Sequence, residues 1–163
     1  MALGTEAWYP ATEPGTIEVK QIPAAKLMIA GNESMAGDDG LFGRLFRYIS
    51  KHDVKMTVPV ETQLQRGEMR FYVGTRDAPR ALRDDGGVRI TEMPARMVAS
   101  IGARGSYSGS NIREAEEQLA SWLARNPQYQ RLDEPYAVFW NGPYVPGVLK
   151  RFEVHVPVRR VLN

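Results

Sequence analysis

The stretch Leu41-Phe42-Gly43-Arg44-Leu45-Phe46-Arg47-Tyr48-Ile49-Ser50-Lys51-His52-Asp53-Val54-Lys55-Met56-Thr57-Val58-Pro59-Val60 changes its hydrophobic period midway, and that change decides the fold. In the first half, Leu41, Phe42, Leu45, Phe46 and Ile49 fall on one arc at about 100° per residue. Gly43, Arg44, Arg47, Ser50 and Lys51 fall on the other, which predicts an amphipathic helix. Asp38 and Asp39, at the end of the loop 31–40, are placed to cap its N-terminus. From Val54 the period is two. Val54, Met56, Val58 and Val60 face one way, and Lys55, Thr57, Pro59 and Glu61 the other, as in a strand.

Working outward, Ile17 and Val19 alternate with Glu18 and Lys20, and Leu27-Met28-Ile29 continues the pattern after Pro23. After a turn at Arg66-Gly67, Met69, Phe71 and Val73 alternate with Arg70 and Tyr72. The order is strand, helix, strand, strand. It then returns. Val88 and Ile90, then Met97, Ala99 and Ile101, read as a strand interrupted at Pro94. Asn111 with Glu114 suggests a capped second helix, carried by Ile112, Ala115, Leu119, Trp122 and Leu123 and stopped at Asn126-Pro127. An aromatic-rich strand, Tyr136 to Trp140, follows, and the last strand alternates through Phe152, Val154, Val156 and Val158.

Two βαββ units, about 16–75 and 86–158, imply an internal duplication. Neither has enough apolar surface to stand alone. The expected fold is therefore one α+β domain over residues 16–163, a duplicated βαββ repeat with two helices packed on an antiparallel sheet or distorted open barrel. Residues 1–15 read as a flexible N-terminal arm. The seam between pseudo-symmetric halves is the natural place for a ligand cleft.

Composition narrows the function classes. Of 163 residues, 43% are hydrophobic and 25% charged, which excludes a disordered chain. The net charge of +2 is small and scattered, so nucleic acid is not expected as a partner. With no Cys, disulfides, thiolate metal sites and thiol catalysis are excluded. No apolar run approaches the roughly 18–20 residues of a membrane span, and the N-terminus lacks secretory features, so a soluble, cytoplasmic protein is expected. No nucleophile elbow, P-loop, dinucleotide fingerprint or paired-histidine metal motif occurs.

Three segments resemble a known family. Leu45-Phe46-Arg47-Tyr48-Ile49 with Lys55-Met56-Thr57-Val58-Pro59-Val60 resembles the helix and "KMTxPV" strand of the SOUL haem-binding family. Phe139-Trp140-Asn141-Gly142-Pro143-Tyr144-Val145-Pro146 resembles its "YNSPFVP" segment, and Ile17-Glu18-Val19-Lys20 its opening strand. Arg104-Gly105-Ser106-Tyr107 and Phe152 to Val158 resemble the broader GyrI-like small-molecule-binding domains. The resemblance implies the duplicated fold and a non-catalytic tetrapyrrole binder, carrier or sensor, with haem b as the first cofactor candidate. The alternative it implies is a GyrI-like binding protein or hydrolase using Glu153, with Tyr107 or Trp140 nearby. Where some SOUL proteins are proposed to ligate iron through histidine, this chain has Gln21, a poor iron ligand.

On that resemblance the expected cofactor-binding residues are Arg44, Arg47, Lys51, Met56, Tyr144, Val145 and Glu153. Arg44, Arg47 and Lys51 form a stripe of like charges that two propionates would relieve; an ordinary solvated helix face competes with that reading. His52 and His155 are the imidazole candidates for iron. His52 equally suits the negative end of a helix dipole, and His155 with Glu153 suits either a hydrogen-bonded couple or an outer strand face. Met56 is either a soft ligand or a core filler. Tyr144-Val145-Pro146 is an apolar loop suited to the rim over a flat ligand.

Overall fold

The computed structural model describes residues 5–31, 38–63, 67–141 and 146–161, and side chains from residue 43 onward in the first helix. In chain order the elements are β1 (Glu6–Ala7), β2 (Ile17–Ile22), β3 (Ala25–Gly31), α1 (Asp38–His52), β4 (Thr57–Val58), β5 (Val60–Gln63), β6 (Glu68–Tyr72), β7 (Val88–Met93), β8 (Arg96–Arg104), α2 (Gly109–Ala124), β9 (Tyr129–Arg131), β10 (Tyr136–Phe139) and β11 (Arg151–Arg160), with a 3₁₀ turn at Gly147–Leu149. The chain forms two compact units, one of residues 1–8 and 23–94, the other of residues 9–22 and 95–163.

In the first unit the antiparallel strand order is β5-β6-β3-β7, and α1 packs on β3, β6 and β7. Leu45, Tyr48 and Ile49, spaced by three and four residues, join Met28, Phe71, Val73 and Val88 in its core. Fully burying a side chain such as Leu45 contributes about 1.5–3 kcal/mol. Asp53 ends the helix with φ 51°, a left-handed conformation that a short polar side chain tolerates. The last carbonyls would otherwise lack donors. Arg76 and Arg80 supply them, donating to Asp53 O at 2.6 and 2.9 Å, and Arg80 to His52 O at 2.6 Å. Both arginines are held by buried Asp77. Burial pushes the Asp77 carboxyl up, but the Lys55 amide and the two guanidinium groups outweigh that and hold it below the usual range.

The second unit has the order β2-β8-β11-β10, with β9 pairing the far end of β11. α2 packs on β8 and β11 through Ile112, Ala115 and Leu119, with Trp122 and Leu123 half-buried beside them. Each unit's sheet is an open antiparallel one carrying a single helix. Prolines mark two of the three places where the chain passes from one unit to the other. The opening strand β2 precedes Pro23 and belongs to the second unit; β7 precedes Pro94 and belongs to the first.

Four local expectations change. The "KMTxPV" segment buries its opposite face: Thr57 and Glu61 are 2% and 0% exposed, whereas Met56 is 37% exposed. The phase changes between buried Val54 and buried Thr57, before β4 begins, and the buried face then runs through Thr57, Pro59 and Glu61; β4 itself pairs parallel to β1. Phe46, assigned to the helix core face, is 41% exposed, and Tyr48 takes the buried place. The cap of α2 is Ser108, whose Oγ accepts from Asn111 N, while the Asn111 side chain donates back to Ser106 O. Within the arm read as flexible, Tyr9 and Thr12 are 3% and 2% exposed, so this segment is packed. The Asp38 and Asp39 cap falls on side chains outside the described ones.

Candidate functional site

Among the described residues, the sequence-predicted site residues fall into two groups of polar side chains, one in each unit. The first surrounds the end of α1. Arg44 donates to Gly31 O at 2.9 Å, and its side chain packs over Gly87. It lines a groove of about 770 Å³ together with Arg89, Asp84, Asp85 and Gly87. Lys51 Nζ and His52 Nε2 converge on Asp85, at 2.8 and 2.9 Å. Those two hydrogen bonds lower the Asp85 carboxyl below its usual range. The His52 ring also lies 4.2 Å from that of Tyr48, whose hydroxyl donates to Arg83 O. Arg47 is exposed and folds back toward Gly43, its Nη1 3.3 Å from where a Cβ would stand. Gly43, Phe46, Arg47 and Ser50 recur at helical spacing, so an aromatic ring and a guanidinium share the outer face. Exposed Met56 follows four residues after the helix.

The second group is built on Glu153, which alternation along β11 turns inward with His155. Both are 0% exposed and bond at 2.7 Å, so they are a buried couple and not an outer strand face. Glu153 Oε1 also accepts from Lys20 Nζ at 2.8 Å and from Ser100 Oγ at 3.0 Å. Oε2 accepts from Trp140 Nε1 at 2.6 Å and from Thr12 N at 2.9 Å. On its other side, His155 Nδ1 meets Tyr136 Oη at 3.1 Å, and Arg96 donates to that oxygen at 3.0 Å. Burial alone would raise the Glu153 carboxyl; the hydrogen bond and charge of His155 and the Lys20 ammonium overrule it and take the carboxyl down to about 2. Such a carboxylate is a firmly charged acceptor and a weak general base at neutral pH.

The expected site residues therefore separate. Arg44, Arg47, Lys51, His52 and Met56 lie in or after α1 in one unit, and Glu153 and His155 lie in the other. Trp140 reaches Glu153, whereas Tyr107 donates to Arg151 O and accepts from Asn141 N. Tyr144 and Val145 lie outside the described residues. Gln21 is exposed on β2. Among the described residues no group of three or more His, Asp or Glu is placed to hold a metal ion. Sequence reading missed Lys20, Ser100, Thr12 and Tyr136. Lys20 sits on the polar face of β2, where alternation alone reads as solvated, and its partner is 133 residues away.

The first unit has an internal cluster of its own. Glu61 on β5 faces its register partner Arg70 on β6 at 2.9 Å and accepts from the Tyr72 hydroxyl at 2.5 Å. Trp8 stacks on Tyr72 with ring centres 6.0 Å apart.

No helix among the described residues is long and apolar enough to cross a membrane. Solved structures with this fold include EcmrR in a complex with DNA, at a TM-score of 0.70 and 15% identity over 90% of this chain. The chain spans 58% of that EcmrR chain's length. The EcmrR C-terminal domain alone matches at 0.64 and 16% identity, with 90% of this chain and 98% of the domain covered. A hydrolase from Listeria innocua matches at 0.60 and 9% identity, with 91% and 94% covered. Identities this low establish the shared α+β fold alone. No curated protein matches the sequence. The family model described as SOUL heme-binding protein matches residues 6–157, nearly the whole length, and the chain belongs to the SOUL haem-binding family.

Proposed function

We propose that this protein binds a tetrapyrrole, haem b being the first candidate, as a non-catalytic carrier or sensor, and that the outer face of α1 is its docking surface. The observation that carries this reading is the exposure of Phe46 beside Arg47, one turn from Arg44 and Lys51. An aromatic ring suits the flat macrocycle, and guanidinium and ammonium groups suit its propionates. The adjoining groove has a volume typical of small-molecule sites and carries Arg44 and Arg89. Bound haem would supply the iron and its spectroscopic signature; this chain's own residues would hold the porphyrin edge and face. They fit that periphery better than they fit the metal. Asp85 occupies His52 Nε2, and Glu153 and Tyr136 occupy both nitrogens of His155.

Titration with haemin and with metal-free protoporphyrin tests the reading. Both should bind saturably. Arg47→Ala with Lys51→Ala should weaken both alike, by roughly 5- to 30-fold, since each exposed ionic contact contributes about 0.5–1 kcal/mol. His52→Ala should leave the Soret band nearly unchanged. If neither porphyrin saturates, tetrapyrrole binding is rejected. If His52→Ala abolishes haemin binding but spares protoporphyrin, iron ligation dominates and the docking surface is wrongly weighted.

A further inference from the structure

Between β1 and β2 the chain forms no strand. Residues 9–16 pair main chain to main chain with the sheet at one place: a bridge joins Pro14 and Gly102, Gly15 N donates to Gly102 O at 2.9 Å, and Gly102 N to Thr16 O at 3.0 Å. Yet Tyr9 and Thr12 are almost wholly buried. What buries them is a set of side chains that the sheet presents from β2, β8, β11 and the end of β10. The Lys20 ammonium meets Pro10 O at 2.9 Å, and Glu153 Oε2 takes the Thr12 amide proton at 2.9 Å. Ser100 Oγ meets the Thr12 hydroxyl at 2.8 Å. The Tyr9 ring stands edge-on to Trp140 at 5.6 Å, with Lys20 Nζ 4.9 Å from its centre.

Everything residues 9–12 offer is generic to a peptide: a ring, a carbonyl, an amide proton and a hydroxyl. On the sheet side, Lys20 and Glu153 pair with each other at 2.8 Å, so they meet the segment as one hydrogen-bond donor and one acceptor. We propose that Tyr9–Gly15 is a built-in occupant of a ligand site, and that the site beneath it accepts in trans a short extended peptide with an aromatic residue three positions before a Ser or Thr. This site lies in a different unit from the α1 face and stands or falls independently of tetrapyrrole binding.

Gly102 supplies the means of opening it. A Cβ there would stand 2.5 Å from Thr12 O and closer still to Glu13 O, so Gly102→Ala must push the segment outward while leaving every polar group of the site in place. In the full chain, labelled with nitrogen-15, the Trp140 indole N–H (assigned with Trp140→Phe) reports on closure. Gly102→Ala should speed its exchange with solvent at least ten-fold. Acetyl-Tyr-Pro-Ala-Thr-amide should restore the slow exchange saturably, and should leave the wild-type signal unchanged. Thr12→Pro deletes the amide proton and sets a ring carbon against the Glu153 oxygen that accepts it, so it should open the site in the same way. Unchanged indole exchange in both folded variants would overturn the proposal, as would an opened site that the tetrapeptide does not refill. Should Gly102→Ala fail to fold, Thr12→Pro decides alone; failure of both makes the segment a structural element and rejects the proposal.

Discussion

Each unit buries a carboxylate under an aromatic ring from the N-terminal segment, but the two neutralise it differently. In the first unit the cation is the register partner: Glu61 and Arg70 face each other on adjacent strands, nine positions apart in sequence, under Trp8 and Tyr72. In the second, Glu153 draws its cation from β2, near the other end of the chain, and its imidazole from two residues along its own strand. It also accepts from a main-chain amide and an indole. The first arrangement is made by one hairpin. The second exists only once distant segments meet, and it makes the carboxylate a hub. A buried charge that organises one strand pair is replaceable in a way that a shared acceptor is not.

The largest expected effect tests that distinction. Glu153→Ala should lower stability in urea unfolding by about 3–5 kcal/mol, because it strands a buried ammonium and leaves the Trp140, Ser100 and Thr12 donors without an acceptor. Glu61→Leu should cost a similar amount by removing the buried carboxylate that faces Arg70 at 2.9 Å. Adding Arg70→Met should then recover most of the loss, whereas adding Lys20→Met to Glu153→Leu should recover little. Equal recovery in both units would erase the contrast.

Next in size is the acid limb of the stability curve. Glu153 titrates near 2 when folded against 4.5 as an ordinary glutamate, so below about pH 4.5 the unfolded chain takes up the proton more readily. The stabilisation is complete above that pH and is lost as the pH falls toward 2, on the order of 3 kcal/mol. Unfolding curves between pH 5 and pH 2 on wild type and Glu153→Gln should show this segment in the first and not in the second. A smaller change is Tyr72→Phe, which removes the hydroxyl donated to Glu61 and should cost about 1–2 kcal/mol; a neutral result would mean that the acid is satisfied without it. Smallest is Ser108→Ala. It deletes the cap of α2 and should cost about 1 kcal/mol by thermal or urea unfolding, with Ser108→Asp restoring it.

How much of this the sequence showed follows the same division between local and distant. The two helices, the strand order and the breaks at Pro23 and Pro94 were legible because periodicity and turn chemistry act over a few residues. The exchange of β2 and β7 between units was not, because pairing register is a property of two segments and alternation reports only one. Phe46 illustrates a finer failure. It lies at the margin of the apolar arc, where one position of helix rotation separates core from surface, and Tyr48 fills the core instead. Between Val54 and Thr57 the chain is not yet a strand, and counting by twos from Val54 through that stretch puts Met56 on the wrong face. The Glu153 couple was visible as a same-face pair with His155; its hub character was not, since Lys20, Thr12 and Ser100 carry no motif.

The allocation of β2 to the second unit also orders events in time. Ribosomal synthesis releases Ile17–Ile22 long before Arg96–Arg104, the strand it pairs with. The first unit, by contrast, has all of its strands once Met93 has emerged. Through that interval β2 is a nascent strand without its template, alternating Ile17, Val19 and Gln21 with Glu18 and Lys20. Unpaired strands of this kind are where nascent chains stick to one another. Its charged alternation and the prolines at positions 14 and 23 are the features that discourage such pairing, so they guard the chain while it is being made.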